Sequence, residues 1–412
     1  MVTPSFPPWG RTALPGVRTA IAALALLASA GPLGYPAWLT LRTRYLPDPA
    51  VPEGNSWPRL TVIVPAFREE AVLAGKLADL RRNGYVGQME LVVVAEDPGT
   101  AAAARGVADV LVTPEHRLGK AEAINRGVAR SSGEIVVITD ANAALSPGAL
   151  PALVRWFADP TVGAVAAEKR VLGDDGESAY WRFESWLKRR ENRLGATIGL
   201  VGELAAIRRT ALRPLPPGVA VDDLWIALDV LGAGHAIRYE PTALALEPPV
   251  GSLREDWERR TRVVAGMLDV LWRRRDLLVG HRVISVQLWG HRLIRASLGP
   301  LAHAALLCVA LGTARRAGPG RPWAAAFLAG HLPGAVGLVR GARGRPASGL
   351  AAVAGQVLFL QGVGLGGLWR YARGDRPALW RKPDRRPDQA VLPPPASREP
   401  APREPVPCPQ LR

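Results

Sequence analysis

The stretch Leu118–Leu145, LGKAEAINRGVARSSGEIVVITDANAAL, constrains this chain more than any other. It reads as a helix opened by Gly119-Lys120, a Ser-Ser-Gly turn, and a short apolar strand from Glu134 to Thr139 that stops at Asp140. A strand apolar along its whole length is buried on both faces, as in a parallel sheet. Ligands of such sheets bind beyond the carboxyl ends of the strands. A carboxylate there, followed by Ala141 and Asn142, is what a metal–nucleotide site requires.

The neighbouring residues repeat the pattern. Strands are expected at Leu60–Ala66, Met89–Ala95, Ala108–Thr113 and Val162–Ala167, and helices at Glu70–Arg82 and Lys120–Arg130. Ser146-Pro147 suits the N-cap and first turn of a further helix through Phe157. Alternation at this spacing predicts an α/β fold with a mostly parallel sheet covered on both faces. Tyr180–Leu194 carries Tyr180, Phe183, Leu187 and Leu194 on one helical face, a core-packing stripe. Trp181 and Trp186 lie off that stripe, where a sugar ring or a membrane interface could meet them.

The flanks read as membrane. Thr19–Leu41 is uncharged and apolar, long enough to cross about 30 Å of hydrocarbon. A cleaved leader ending at Ala28-Ser29-Ala30 competes with an uncleaved anchor, which is preferred because apolar character continues through Leu39. From Arg254 to Arg295 the chain is Arg-rich, with Trp257, Trp272 and Trp289 interleaved, as in helices lying along a bilayer surface. Three uncharged runs follow: Ala296–Ala314, Pro322–Val339 and Pro346–Trp369. This divides the chain into an anchor (1–45), a sheet domain (57–250), interfacial helices (251–295), about three spans (296–370) and a Pro/Arg-rich tail (371–412) expected to be largely disordered. A cytoplasmic sheet domain with three spans would leave the basic tail outside, against the positive-inside tendency, so the two orientation signals conflict.

Arg and Lys outnumber Asp and Glu by 52 to 36, a formal charge of +16 that suits an anionic partner. No zinc-finger spacing or RNP-type aromatic motif points to nucleic acid. Cys308 and Cys408 have no evident disulfide or metal role, and the six histidines show no ligand spacing.

Five segments, VIVPAFREE, VVVAEDPGT, GKAEAINRG, ITDANAAL and VDDLWIALDV, resemble in order and spacing an inverting family 2 glycosyltransferase. More narrowly they resemble the membrane-embedded cellulose synthase and poly-N-acetylglucosamine synthase-like branch, over about residues 57–295. The resemblance implies a GT-A (Rossmann-like) fold, a nucleotide-diphosphate sugar donor, and a divalent metal, Mg²⁺ or Mn²⁺. It also implies a glycan or glycolipid acceptor, and a multi-pass plasma-membrane protein with a cytoplasmic catalytic domain.

Residue by residue, the resemblance assigns Pro65, Ala66 and Glu69 to the donor turn after the first strand, with Arg68 where the family has Asn. Asp97 matches the aspartate that holds the base, with Glu96 as the alternative. Lys120 matches the lysine near the donor phosphates. Its place at a helix start adds a charge to backbone donors suited to an anion, and Ala121 excludes a phosphate-binding P-loop. Asp140 and Asn142 match the Asp-x-Asp metal pair, Asn standing in the second place. Asp223 matches the general base that deprotonates the acceptor, while Asp222 reads as a helix cap. Arg260 and Arg262 fall where processive members carry Gln-x-x-Arg-Trp and are assigned to the departing diphosphate. Arg259 and Val263 replace that Gln and Trp, which weakens a processive reading. The departures at Arg68, Asn142, Val201 and Val263 sustain a rival: a catalytically silent nucleotide-sugar-binding subunit working with membrane partner subunits. A transporter is disfavoured because the spans lack intramembrane charge.

Overall fold

The computed structural model describes residues 15–54, 57–171, 175–248, 252–280, 282–345 and 347–375. The tail after 375 lies outside the described residues. Among the described residues, eight strands form one sheet: β1 Leu60–Ala66, β2 Met89–Ala95, β3 Val110–Val112, β4 Ile135–Thr139, β5 Ala144–Leu145, β6 Val162–Val171, β7 Leu204–Arg208 and β8 Ala236–Glu247. Their spatial order is β3-β2-β1-β4-β7-β6-β8-β5. From β3 to β4 all pairs are parallel, while β7 runs antiparallel to both β4 and β6.

Alternation along the strands divides the apolar residues between two cores. Leu60, Val62 and Val64 of β1, with Ile135 and Val137 of β4, face helices Glu70–Arg81 and Ala149–Val154. Ile63, Val136 and Ile138 face the other way, toward Ile124, Leu228 and Leu271. Those three belong to helices Lys120–Ala129, Asp222–Gly232 and Leu253–Arg273.

β7 and β8 extend the sheet beyond the strands expected from sequence. β7 falls in the Gly-bearing segment 198–209. β8 is irregular between Tyr239 and Leu244, around Pro241, which breaks the local strand signal. Ser146 is not the N-cap: Gly148 holds that position, in a left-handed conformation. The Ser146 hydroxyl instead accepts from the Leu244 N–H (3.0 Å) and donates to the Thr242 carbonyl (3.1 Å), because β5 pairs with β8.

Among the described residues, four helices are long and apolar enough to cross a membrane: Arg18–Thr43, Val283–Ala314, Arg321–Ala342 and Gly349–Ala372. The second begins before the apolar run that starts at Ala296, so His291, Arg292 and Arg295 share a helix with it. Leu253–Arg273 buries Met267, Leu268 and Leu271 in the sheet-domain core and sets Trp257 against Phe359 of the last helix (ring centroids 6.0 Å). Trp272 is exposed.

A buried polar network ties these helices to the sheet domain. Tyr35 donates to Glu191 (2.6 Å), and His291 bridges Glu191 (2.6 Å) and Glu184 (3.0 Å), the latter also paired with Arg295. Burial pushes Glu184 upward, but Arg295 and His291 outweigh it and hold the carboxyl well below its ordinary range. Leu187, from the expected stripe, is buried against Tyr35 and Leu39 on the same helix faces.

Gly127 lets helix Lys120–Ala129 lie close on β1: a Cβ there would sit 2.7 Å from Ile63 Cγ2. Gly127→Ala should therefore destabilise the protein by about 1–3 kcal/mol, the scale of core overpacking. Gly341→Ala, where nothing lies within 4 Å, should not. Thermal unfolding of the two detergent-purified variants checks this, and equal midpoints would refute the close-approach argument.

Candidate active site

Strand direction determines which side chains meet. β1, β2 and β4 end at one sheet edge, and β6 and β8, separated from β4 by the reversed β7, end there too. Because β7 is reversed, it is its beginning that lies at this edge. Asp140 after β4, Glu203 before β7, Lys169 near the end of β6 and Glu247 at the end of β8 are thereby brought together. The backbone seals the junction: Thr139 Oγ1 donates to the Glu203 carbonyl (2.8 Å), and the Asp140 N–H to the same oxygen (3.3 Å).

Carboxylate oxygens of Asp140, Glu203 and Glu247 lie within 4.8 Å of one another. Lys169, 3% exposed, pairs with Glu203 and with Glu247 (2.6 Å). Lys120 Nζ lies 2.7 Å from Asp140, 3.6 Å from Asp222 and 3.0 Å from the Gly202 carbonyl. Asn142 donates from Nδ2 to Glu247 (3.3 Å). The pair Asp140/Asn142 thus reaches Glu247, and three carboxylates offer the hard oxygen donors that Mg²⁺ or Mn²⁺ takes.

Local structure aims Lys120. Gly119 has φ of +87°, and the N–H groups of Leu118 and Gly119 both donate to Glu96 Oε1 at 2.8 Å. Glu96 at the end of β2 therefore fixes the turn from which Lys120 projects. Asp97 caps helix Pro98–Ala104, accepting from the Thr100 N–H (2.9 Å) and hydroxyl (2.6 Å), and it also holds the Arg68 N–H (2.6 Å). Burial raises the Asp97 carboxyl, but these bonds prevail and leave it below its ordinary value. Arg68, at φ +55°, turns the chain after Pro65 and Ala66, and the Glu69 N–H donates to Thr100 (2.9 Å). The turns after β1 and β2 are thus one bonded unit at the sheet edge.

Asp222 and Asp223 open helix Asp222–Gly232 beside Lys120. Burial first, then the neighbouring Asp222, pushes Asp223 up to about 6 despite Lys120. Burial also raises Asp140 and Glu247, whereas Lys169 overcomes burial at Glu203 and brings it down to about 2. Arg260 and Arg262 have different surroundings. Arg260 is held by Asp256 (2.7 Å) with its guanidinium over Tyr180, whereas Arg262 is half-buried in the field of Asp222 and Asp223. Residues two apart on a helix point to different faces.

Glu203, Glu247, Lys169 and Arg292 were not singled out from sequence. Glu203 carries a signal, an acid immediately before the apolar run Leu204–Ile207, the mirror of Asp140 after its strand. Glu247 and Lys169 carry none, since long-range pairing alone delivers them. Arg292 reaches this region from the helical layer and packs against Gly199.

The family model described as Glycosyl transferase family 2 matches residues 61–215. An N-acetylglucosaminyltransferase of Mesorhizobium japonicum is 27% identical over 224 residues, covering 47% of this chain and 52% of that protein. The pre-mycofactocin glycosyltransferase of Mycobacterium tuberculosis is 29% identical over 294 residues, covering 65% of this chain and 59% of that protein. The chain spans about half the length of the curated relatives it matches. Among solved structures, the mannosyltransferase PcManGT from Pyrobaculum calidifontis, in complex with GDP-Man and Mn²⁺, superposes with a TM-score of 0.68 at 27% identity. That match covers 86% of this chain and 99% of that one. The fold is that of the GT-A glycosyltransferases. Residues 61–215 carry a glycosyltransferase family 2 domain.

Lys169→Met would leave Glu203 and Glu247 facing each other without their shared cation. A loss of about 3–5 kcal/mol is expected, as when one partner of a buried ion pair is removed. The depressed Glu203 contributes stability that is complete above its ordinary 4.5 and lost as pH falls to about 2. In the variant that acid-side loss should shrink, so its stability deficit against wild type should narrow as pH falls from about 4.5 toward 2, which unfolding midpoints measured against pH would reveal.

Proposed function

We propose that this chain is a membrane-bound inverting glycosyltransferase that moves a sugar from a nucleotide-diphosphate sugar to a polysaccharide or lipid-linked acceptor. The observation that carries the reading is the meeting of Lys120, Asp140 and Asp223 at one sheet edge. The Mn²⁺ and GDP-Man in the similar mannosyltransferase structure support a divalent metal and a nucleotide-sugar donor.

In this reading Pro65, Ala66, Glu69 and Asp97 form the donor turn, and Lys120 meets the phosphates. Asp140 would hold the metal together with Glu203 and Glu247, with Asn142 bonded to Glu247. The bound metal would stabilise negative charge on the leaving diphosphate. Asp223 takes the proton of the acceptor hydroxyl as its oxygen bonds to the anomeric carbon. The bond from that carbon to the phosphate oxygen breaks, so a single displacement inverts the centre. Arg262, close to Asp222 and Asp223, serves the leaving side, and Arg260 supports the same helix through Asp256 and Tyr180. The four apolar helices support a multi-pass reading, in which the site would face the cytoplasmic store of nucleotide sugars at the plasma membrane.

Asp223→Asn should lower transfer by about 10²–10⁴-fold, the range for a lost general base, and leave nucleotide binding intact. Retention of full turnover would remove Asp223 from this role. Because the base must be ionised, wild-type transfer should climb as pH rises through about 6, and a flat profile there would contradict the assignment. A nucleoside diphosphate bound without turnover of any nucleotide sugar in a panel would favour the silent-subunit alternative.

A further inference from the structure

A cleft of about 490 Å³ opens between the end of β6 and helix Asp175–Arg193, within the roughly 300–1,000 Å³ typical of small-ligand sites. Lys169 and Arg170 from the strand, and Trp181, Arg182, Trp186 and Arg189 from the helix, form its wall. Arg182, Trp186 and Arg189 recur on one helical face. Arg170, Arg182 and Arg189 are exposed. Among the described lining residues one carboxylate, Glu168, opposes these cations, and its oxygens are engaged by Ser185, Lys188 (3.2 Å) and Tyr239 (2.7 Å).

Two observations connect the cleft with the site. Trp181 lies over Lys169 Nζ at 4.9 Å, and Lys169 itself is bound to Glu203 and Glu247. The cleft is therefore one side chain away from the acidic cluster. Trp186 also belongs to the cluster formed with Tyr35 and Leu39 of the first apolar helix, so the cleft stands where the sheet domain meets the helical layer.

We infer that this cleft is an acceptor subsite for a phosphate-bearing molecule, its indoles covering an apolar or sugar face and its guanidiniums the phosphate. Arginine forks match phosphate oxygens bidentately, and a neutral glycan would need the indoles without such an excess of cations. The inference rests on the glycosyl-transfer reading, since it identifies what that same site receives. The shared chemistry is the phosphate, carried either on a lipid or on a soluble sugar.

The test uses the full chain in detergent and measures binding of short-chain phosphatidic acid, phosphatidylcholine of equal length and glucose 1-phosphate. Phosphatidic acid should bind and phosphatidylcholine should not. Binding of glucose 1-phosphate as well would assign the site to the phosphate itself, and its absence would assign the site to a lipid carrier. Arg182→Ala/Arg189→Ala should weaken binding by about tenfold or more, the scale of lost charge-assisted hydrogen bonds. Arg182→Lys/Arg189→Lys should recover part of it, which a variant that merely unfolds would not. Failure of both phosphate ligands to bind, or equal binding by the alanine variant, would overturn the subsite. Nucleotide-sugar hydrolysis by the wild type is scored in parallel. Hydrolysis without phosphate binding sinks the subsite alone, whereas phosphate binding without hydrolysis of any nucleotide sugar leaves a phosphate site and overturns the transferase reading together with the acceptor role.

Discussion

Two lysines make the acidic edge of this sheet possible. Asp140, Glu203 and Glu247 approach within 4.8 Å, and Asp222 and Asp223 stand next to Lys120. At an effective dielectric of 20, like charges at that separation repel by about 3 kcal/mol per pair. Lys169 between Glu203 and Glu247, and Lys120 between Asp140 and Asp222, offset that repulsion without filling the cleft. The same charge balance suits the proposed chemistry. A carboxylate cluster alone would reject a diphosphate, whereas carboxylates with lysines at their edge can take a cation and its anionic ligand together. Asp223 lies at the margin of this balance, and burial beside Asp222 moves it toward neutrality, into the range useful for a base.

The helical layer extends the site. The Tyr35–Glu191–His291–Glu184–Arg295 network joins the first apolar helix, helix Asp175–Arg193 and helix Val283–Ala314 through buried charge-assisted bonds. Each partner would be costly to leave unpaired, so the network specifies how the helices sit on the sheet domain. That placement brings Arg292 toward Gly199 and sets helix Asp175–Arg193 beside β6, which forms the basic, indole-walled cleft. Gly31 contributes to the close fit, since a Cβ there would lie 2.7 Å from the Arg295 backbone.

Much of the central sheet could be read locally. β1, β2 and β4 are unbroken apolar runs that end in turn residues, and Lys120, Asp140 and Asp223 each sit at the end of an element with a clear period. β7 and β8 were harder. β7 is a short Ala-rich strand behind a glycine segment, and β8 contains a proline at an irregularity, so neither shows a strong strand signal by itself. Ser146 looked like a cap because Ser-Pro is a good helix start, yet β5–β8 pairing claimed its hydroxyl. Arg260 and Arg262 looked like a clamp because they are near in sequence, and the helix turned them apart.

By itself, the sequence determined the α/β alternation, the apolar helices and the residues that local geometry places at strand ends and helix starts. Periodicity and capping act over a few residues, so these features are written locally. Only the tertiary structure decided that Glu203, Glu247 and Lys169 join Asp140. Their meeting depends on β7 running backwards between β4 and β6, a long-range choice of strand direction that no short stretch of residues contains.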